Sequence, residues 1–291
     1  MSAFSEKDFD AKGYSKSRPS YPESFYKLID NYHRGCRSRL IDVGCGPGTA
    51  TFQLADNLNS FQEIIGTDIS ATMVERARKR KTEHPEKYAN VSFAVSPADD
   101  FTFLAGSEAT PQRCDIITAV QCAHWLDFTK FQNAVADVLR KDGTLAVWGY
   151  ADPIFPEYPK LDNLLDEFTY GAKYLGPFWD PGRQILRNLL RDLHVDTKLF
   201  TDVEERCFDG SSIRSKKQNP LLVTKTFTLK NFENYIKSWS SYHSWKKSNQ
   251  DEKRDITERF SDCVLRLYPE MTPQSRLQVV WKSFYKLGRR L

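Results

Sequence analysis

Apolar runs of strand length alternate with helically spaced apolar positions through the first half of the chain. Leu40-Ile41-Asp42-Val43 is a run that stops at closely spaced glycines, the pattern of a buried strand entering a tight turn. The periodicity then predicts a helix over 49–58, a strand over 61–68, a helix over 71–81 and a strand over 91–95. A fourth strand over 115–122, a helix over 128–139, a turn at 141–143 and a fifth strand over 144–150 follow. Upstream, 23–33 reads as an amphipathic helix with Phe25, Leu28, Ile29 and Tyr32 on one face. Five strand and helix alternations in about 150 residues predict an α/β fold with a right-handed, doubly wound sheet.

After residue 151 the texture changes. Prolines at 153, 156 and 159 interrupt, and helical patterns cover 161–170, 181–193, 229–247 and 255–268. Residues 203–208 read as a sixth strand. Alternation of Leu277, Val279 and Trp281 predicts a last strand over 276–287 with a slip near Ser283, helix being the alternative. Three regions are therefore expected: an N-terminal arm and core over 1–152, a helical cap with the sixth strand over 153–275, and a closing strand over 276–291.

Composition narrows the class. At 291 residues, 40% hydrophobic and 27% charged, the chain can bury a full core. A net charge of +4 with interleaved signs gives no footprint for nucleic acid, and the basic run 76–81 reads as the solvated end of a helix. No run reaches membrane-span length and the N-terminus lacks a signal-peptide pattern, so a cytoplasmic, monomeric enzyme without membrane or nucleic-acid partners is expected. The six cysteines show neither Cys-x-x-Cys nor zinc spacing, so no metal or disulfide is needed.

The glycine turn carries the chemistry. Gly44, Gly46 and Gly48 can adopt positive φ and bring main-chain N–H groups close to a ligand. Asp42, charged at the end of a buried strand, calls for a cationic partner or backbone N–H donors. A dinucleotide fingerprint starting at Gly44 would place its third glycine at Thr49, where it fails. Asp68 closes the second strand about 20 residues beyond the turn, the position that accepts ribose hydroxyls in doubly wound sheets.

The Asp-x-Gly-x-Gly-x-Gly pattern resembles the first motif of class I S-adenosylmethionine (SAM) methyltransferases. That resemblance implies a seven-stranded, Rossmann-like sheet with an antiparallel last strand, SAM as cofactor and S-adenosylhomocysteine as product. It further implies a cofactor site built from Tyr14, Arg18, Asp42, Gly44, Cys45, Gly46, Asp68, Ile69, Ala98, Asp99 and Gln121; the N-terminal arm reads either as a surface segment or as a cover that pairs Arg18 with the methionine carboxylate. Pro97 departs from the commonest form of the adenine loop, which passes the adenine contact to Asp99 or to main chain. The Arg-Pro-x-Tyr-Pro arm, Cys-Ala-His-Trp, Trp-Ser-x-Tyr-His and the Gly-Arg-Arg end resemble the yeast trans-aconitate methyltransferases. This branch implies methyl esterification of a small polycarboxylate such as trans-aconitate or isopropylmalate.

Substrate contacts are expected from His124, Trp125, Tyr150, Trp179, Arg183, Trp239 and Lys246, with Lys173, His124 and Lys246 weaker candidates than Arg183 for holding the anion. Trp239, Tyr242, His243 and Lys246 would share a helix face, although aromatic stripes are commonly core. Arg183, hard to bury without an anion, is the preferred clamp. No catalytic base is expected, since a carboxylate is already ionised at neutral pH. The aromatic cap equally suits a lipid or hydrophobic xenobiotic, and a SAM-binding protein without turnover is the non-enzymatic alternative.

Overall fold

A computed structural model describes residues 18–104, 114–215 and 218–291. These fall into two compact units: a sheet unit of 22–150, 188–208 and 283–291, and a helical unit of the described residues up to Tyr21 with 151–187 and 209–282. Tyr14 lies outside the described residues.

In the sheet unit, helix α1 (Glu23–Tyr32) precedes strands β1 (Arg39–Val43), β2 (Glu63–Asp68), β3 (Val91–Val95), β4 (Cys114–Val120) and β5 (Leu139–Ile154). Helices α2 (Thr49–Asn57), α3 (Ala71–Lys81) and α4 (Phe128–Val138) make the crossovers. The strand order is β3-β2-β1-β4-β5-β8-β6, with β6 at Phe200–Phe208 and β8 at Arg276–Arg290. The first five strands are parallel where their pairing registers, while β8 runs antiparallel to β6. β4 is buried at every position, as helices on both faces of a parallel sheet require. The chain order switches direction at β1, which puts the turn after β1 at the carboxyl edge where open α/β sheets hold ligands.

Several boundaries differ from the sequence reading. β5 starts at Leu139, and the expected turn at 141–143 is a bulge: Cys114 pairs Leu139 and Ile116 pairs Thr144, with Asp142 at φ 64°. Arg140 spans it to the fully buried Asp115 at 3.1 Å, and Asp115 also accepts from Ser38 and Arg39 N–H. β5 also runs through Pro153, whose fixed φ suits extended backbone and costs only one donor. β6 belongs to the sheet unit, three residues longer than expected at its start.

The helical unit contains α5 (Lys160–Tyr170), α6 (Gly182–Arg187), α7 (Gly210–Arg214), β7 (Thr224–Thr228), α8 (Leu229–Lys237), α9 (Ser240–Ser248) and α10 (Ile256–Leu267). α6 is shorter than the expected 181–193, and downstream of it Leu189 and Leu190 take left-handed φ of 57° and 54°. The expected helix 229–247 is two helices, broken where Trp239 turns extended at φ −82°, ψ 146°. β7, unforeseen because only Phe227 is buried, pairs with the opening half of β8. β8 settles the strand-or-helix alternative as strand, 15 residues long. Among the described residues no helix is long and apolar enough to cross a membrane.

Candidate active site

The turn after β1 is held from two sides, by β2 and by Arg80 of α3. Cys45 N–H donates to the Thr67 carbonyl at 2.9 Å and Gly46 N–H donates to Asp68 Oδ2 at 2.9 Å, so β2 fixes the turn. Arg80 donates to the Pro47 carbonyl at 2.8 Å and to Thr49 Oγ1 at 3.0 Å, with its guanidinium 5.0 Å from the Phe52 ring centre. Arg80 is therefore a brace for the turn, not the solvated residue that the basic run suggested; nothing in the sequence pattern marked it.

Gly44 and Gly46 have φ of 61° and 53°, a region where a Cβ is strained. They differ in their surroundings. A Cβ on Gly44 would lie 2.7 Å from Cys122 Cβ, whereas one on Gly46 would meet nothing within 4 Å. Gly44 thus answers to packing beneath the turn, and Gly46 opens onto free space above it.

Asp42 is fully buried and accepts from Thr51 Oγ1 at 2.6 Å and Thr118 Oγ1 at 2.8 Å. Its partners are hydroxyls, which corrects the expectation of a cation or backbone N–H donors. Two hydroxyls compensate burial incompletely, and burial pushes the carboxyl up to about 6 despite both hydrogen bonds. Asp42 ties the first turn of α2 to β4 beneath the glycines.

Asp68 is half-buried at the tip of β2, with Oδ1 accepting from Ser70 N–H at 2.8 Å and Oδ2 from Gly46 N–H. A carboxylate has about four acceptor sites, so each oxygen keeps one for a further donor. Helix capping falls to Ser70, which accepts from Met73 N–H. Around this edge Ile69 and Val95, directly after and at strand ends, are 74% and 50% exposed, and Trp125, in the short 3-10 turn that follows β4, is 42% exposed. Large apolar side chains so exposed beside an acid and a glycine turn form the walls expected for a heteroaromatic ring.

The loop after β3 is fixed by Ser96, whose N–H donates to the Asp68 carbonyl at 3.1 Å and whose hydroxyl donates to the Asp100 carbonyl at 2.7 Å. Ala98 sits within this loop. Asp99 meets Lys130 Nζ at 2.6 Å, a pairing that lowers its pKa. Gln121, at φ 58°, donates to the Tyr150 carbonyl at 2.7 Å and accepts from Tyr150 N–H at 2.8 Å, locking the ends of β4 and β5 together. His124 is buried with its ring 4.9 Å from that of Trp125. Cys45 and Cys122 are buried thiols whose pKa values burial pushes well up.

The helical unit gathers the other expected residues except Lys173 and Lys246. Arg183 pairs with Asp152, Tyr170 Oη donates to both Asp152 oxygens at 2.8 and 2.9 Å, and Arg183 Nε donates to Tyr170 Oη at 3.0 Å. The anion that the burial of Arg183 demands is thus supplied within the chain. The Arg183 guanidinium lies 4.4 Å from the Trp179 ring centre, Trp179 lies 5.6 Å from Trp239, and Trp239 lies 5.5 Å from Tyr235. Arg18 closes the series, 5.6 Å from the Tyr235 ring centre, donating to the Ser238 carbonyl at 3.0 Å. Lys225 Nζ donates to the Arg18 carbonyl at 3.1 Å. Lys246 is exposed, 6.0 Å from the Trp245 ring centre, and Lys173 is exposed. Trp239 precedes α9 and does not extend the helical face of Tyr242, His243 and Lys246.

The residues at the carboxyl edge fit SAM: open space at Gly46, spare acceptor sites on Asp68 and an exposed apolar wall at Ile69. Among the described residues no His, Cys, Asp and Glu group could hold a metal. The methyltransferase domain family model matches residues 36–205. "Probable S-adenosylmethionine-dependent methyltransferase CRG1" of Saccharomyces cerevisiae is 31% identical over 99% of this chain and 98% of its own length. Methyltransferase cfoB of Aspergillus candidus is 31% identical over 65% of this chain and 61% of its own. A solved structure from Anaeromyxobacter dehalogenans, a "Putative Type II Methyltransferase", superposes with a TM-score of 0.68 at 23% identity, over 94% of this chain and 97% of its own, and so shares the fold. With the sheet order, the glycine turn and these relatives agreeing, the chain belongs to the methyltransferase domain family and is a class I, SAM-dependent methyltransferase.

Proposed function

We propose that this enzyme forms a methyl ester on one carboxylate of a small polycarboxylic acid of the trans-aconitate or isopropylmalate type. The observation that carries the reading is a gathering of basic side chains among aromatic walls. Arg18 and Arg183 lie along the series Trp179, Trp239 and Tyr235, Asp152 pairs with Arg183, and Lys225 Nζ reaches the Arg18 carbonyl. Burial lowers the pKa of Lys225, and both arginines bear electrostatically on Tyr235. Guanidinium and ammonium groups gathered beside aromatic rings suit a ligand that carries several carboxylates.

SAM, when bound, supplies an electrophilic methyl on a sulfonium. Asp68 would hold the ribose hydroxyls on its spare acceptor sites, Ile69 would pack on the adenine, and the N–H groups near Gly46 would lie along the methionine portion. Arg18 would neutralise an anion in the helical unit. Arg183, held by Asp152 and Tyr170, would present its remaining N–H edge to a substrate carboxylate. Substrate oxygen attacks already ionised, so side chains position and neutralise and none needs to take a proton.

The test is incubation with labelled SAM and a panel of di- and tricarboxylic acids, with product assayed as base-labile methyl ester. Ester formation competed by citrate-like anions supports the reading. Labelling confined to hydrophobic acceptors, indifferent to those anions, overturns it.

A further inference from the structure

Ser241 is the second residue of α9 and is 0% exposed, yet its hydroxyl meets no hydrogen-bond partner among the described residues. A buried hydroxyl without a partner is disfavoured by about 1–3 kcal/mol, so its persistence points to a ligand that completes it. Cα–Cβ bonds tilt toward the N-terminus of a helix, which leans this hydroxyl toward the opening of α9. The opening itself attracts an anion. Its first N–H groups lack intrahelical acceptors, Trp239 at the N-cap supplies no side-chain acceptor, and the first turn carries no acid.

The surrounding charges agree. Arg18 donates to the carbonyl of Ser238, three residues before Ser241, at 3.0 Å. Asp255, which accepts from Tyr242 Oη at 2.6 Å, is offset by Lys237 at 3.4 Å. Trp239, 3% exposed, links the opening to Trp179 and Tyr235 by ring contacts.

We propose that Ser241 Oγ and the opening N–H groups of α9 form an oxyanion subsite that receives a substrate carboxylate other than the one being methylated. This rests on the polycarboxylate reading for the identity of the ligand. The subsite makes Ser241 a specificity-determining residue: it rewards a second or third carboxylate and is silent toward a monocarboxylate.

The experiment titrates citrate, sulfate and acetate into the full chain with S-adenosylhomocysteine present, for wild type and Ser241→Ala, following tryptophan fluorescence and calorimetry. The expected result is citrate and sulfate binding at least about tenfold weaker in the variant, acetate unchanged, and a melting temperature equal to or above wild type, since a lone buried hydroxyl is removed. Equal citrate and sulfate affinities in both proteins would overturn the subsite and leave the polycarboxylate reading standing. Sulfate binding that depends on Ser241 without any citrate binding would keep the subsite and remove the polycarboxylate reading. No binding of either anion to wild type would overturn both.

Discussion

Asp42→Asn isolates the electrostatics beneath the glycine turn. Asp42 is fully buried, its side-chain partners among the described residues are the hydroxyls of Thr51 and Thr118, and burial raises its pKa from an ordinary 3.8 to about 6. The direction sets the sign. Between these values the unfolded chain has released the proton while the folded chain holds it, so wild-type stability falls as pH rises through the window. A shift of about two units at about 1.36 kcal/mol each makes the loss between pH 4 and pH 7 about 2 to 3 kcal/mol. Asparagine keeps an acceptor for one threonine hydroxyl and does not titrate. Urea unfolding of both proteins at half-unit pH steps is the assay, and the quantity is the wild-type minus variant difference. That difference should become less favourable to wild type by about 2 to 3 kcal/mol from pH 4 to pH 7 and then level off. A flat difference, or one that moves in favour of wild type, would refute the claim that hydroxyl partners under-compensate the buried carboxylate.

Gly44→Ala should lower the melting temperature more than Gly46→Ala, since both incur the left-handed cost of about 1–2 kcal/mol but only Gly44 drives a methyl into Cys122; Gly46→Ala should instead weaken SAM binding, read by calorimetry. Arg183→Ala strands the carboxylate of Asp152 and should cost about 3 kcal/mol or more, while Arg183→Met with Asp152→Asn should recover much of it in thermal unfolding. A thiol reagent should label exposed Cys36 quickly in the native protein and leave Cys45 and Cys122 unlabelled until unfolding, as their burial and raised pKa values require; mass spectrometry of the labelled peptides checks this.

The parallel sheet was legible because its strands are buried on both faces and read as unbroken apolar runs, as in Ile116-Ile117-Thr118-Ala119-Val120. The turn and the strand-tip position of Asp68 were legible because both leave a local pattern: glycine where φ is positive, and an acid closing the next strand. Features set by distant partners were hidden. Asp42 meets Thr118 across 76 residues of chain, Arg183 meets Asp152 across 31, and Arg80 reaches the turn from a run that looks solvated. β7 shows one buried residue and so no alternation, and the break at Trp239 carries neither proline nor glycine to announce it.

The account turns on Asp68 holding the cofactor at the carboxyl edge of the sheet. Calorimetric titration of SAM into wild type and Asp68→Ala tests this directly, with melting temperature as the control for folding. Two charge-assisted hydrogen bonds lost with the carboxylate should weaken binding at least about 30-fold. Equal SAM affinity in the two proteins, or uptake of NAD in place of SAM by the wild type, would contradict it.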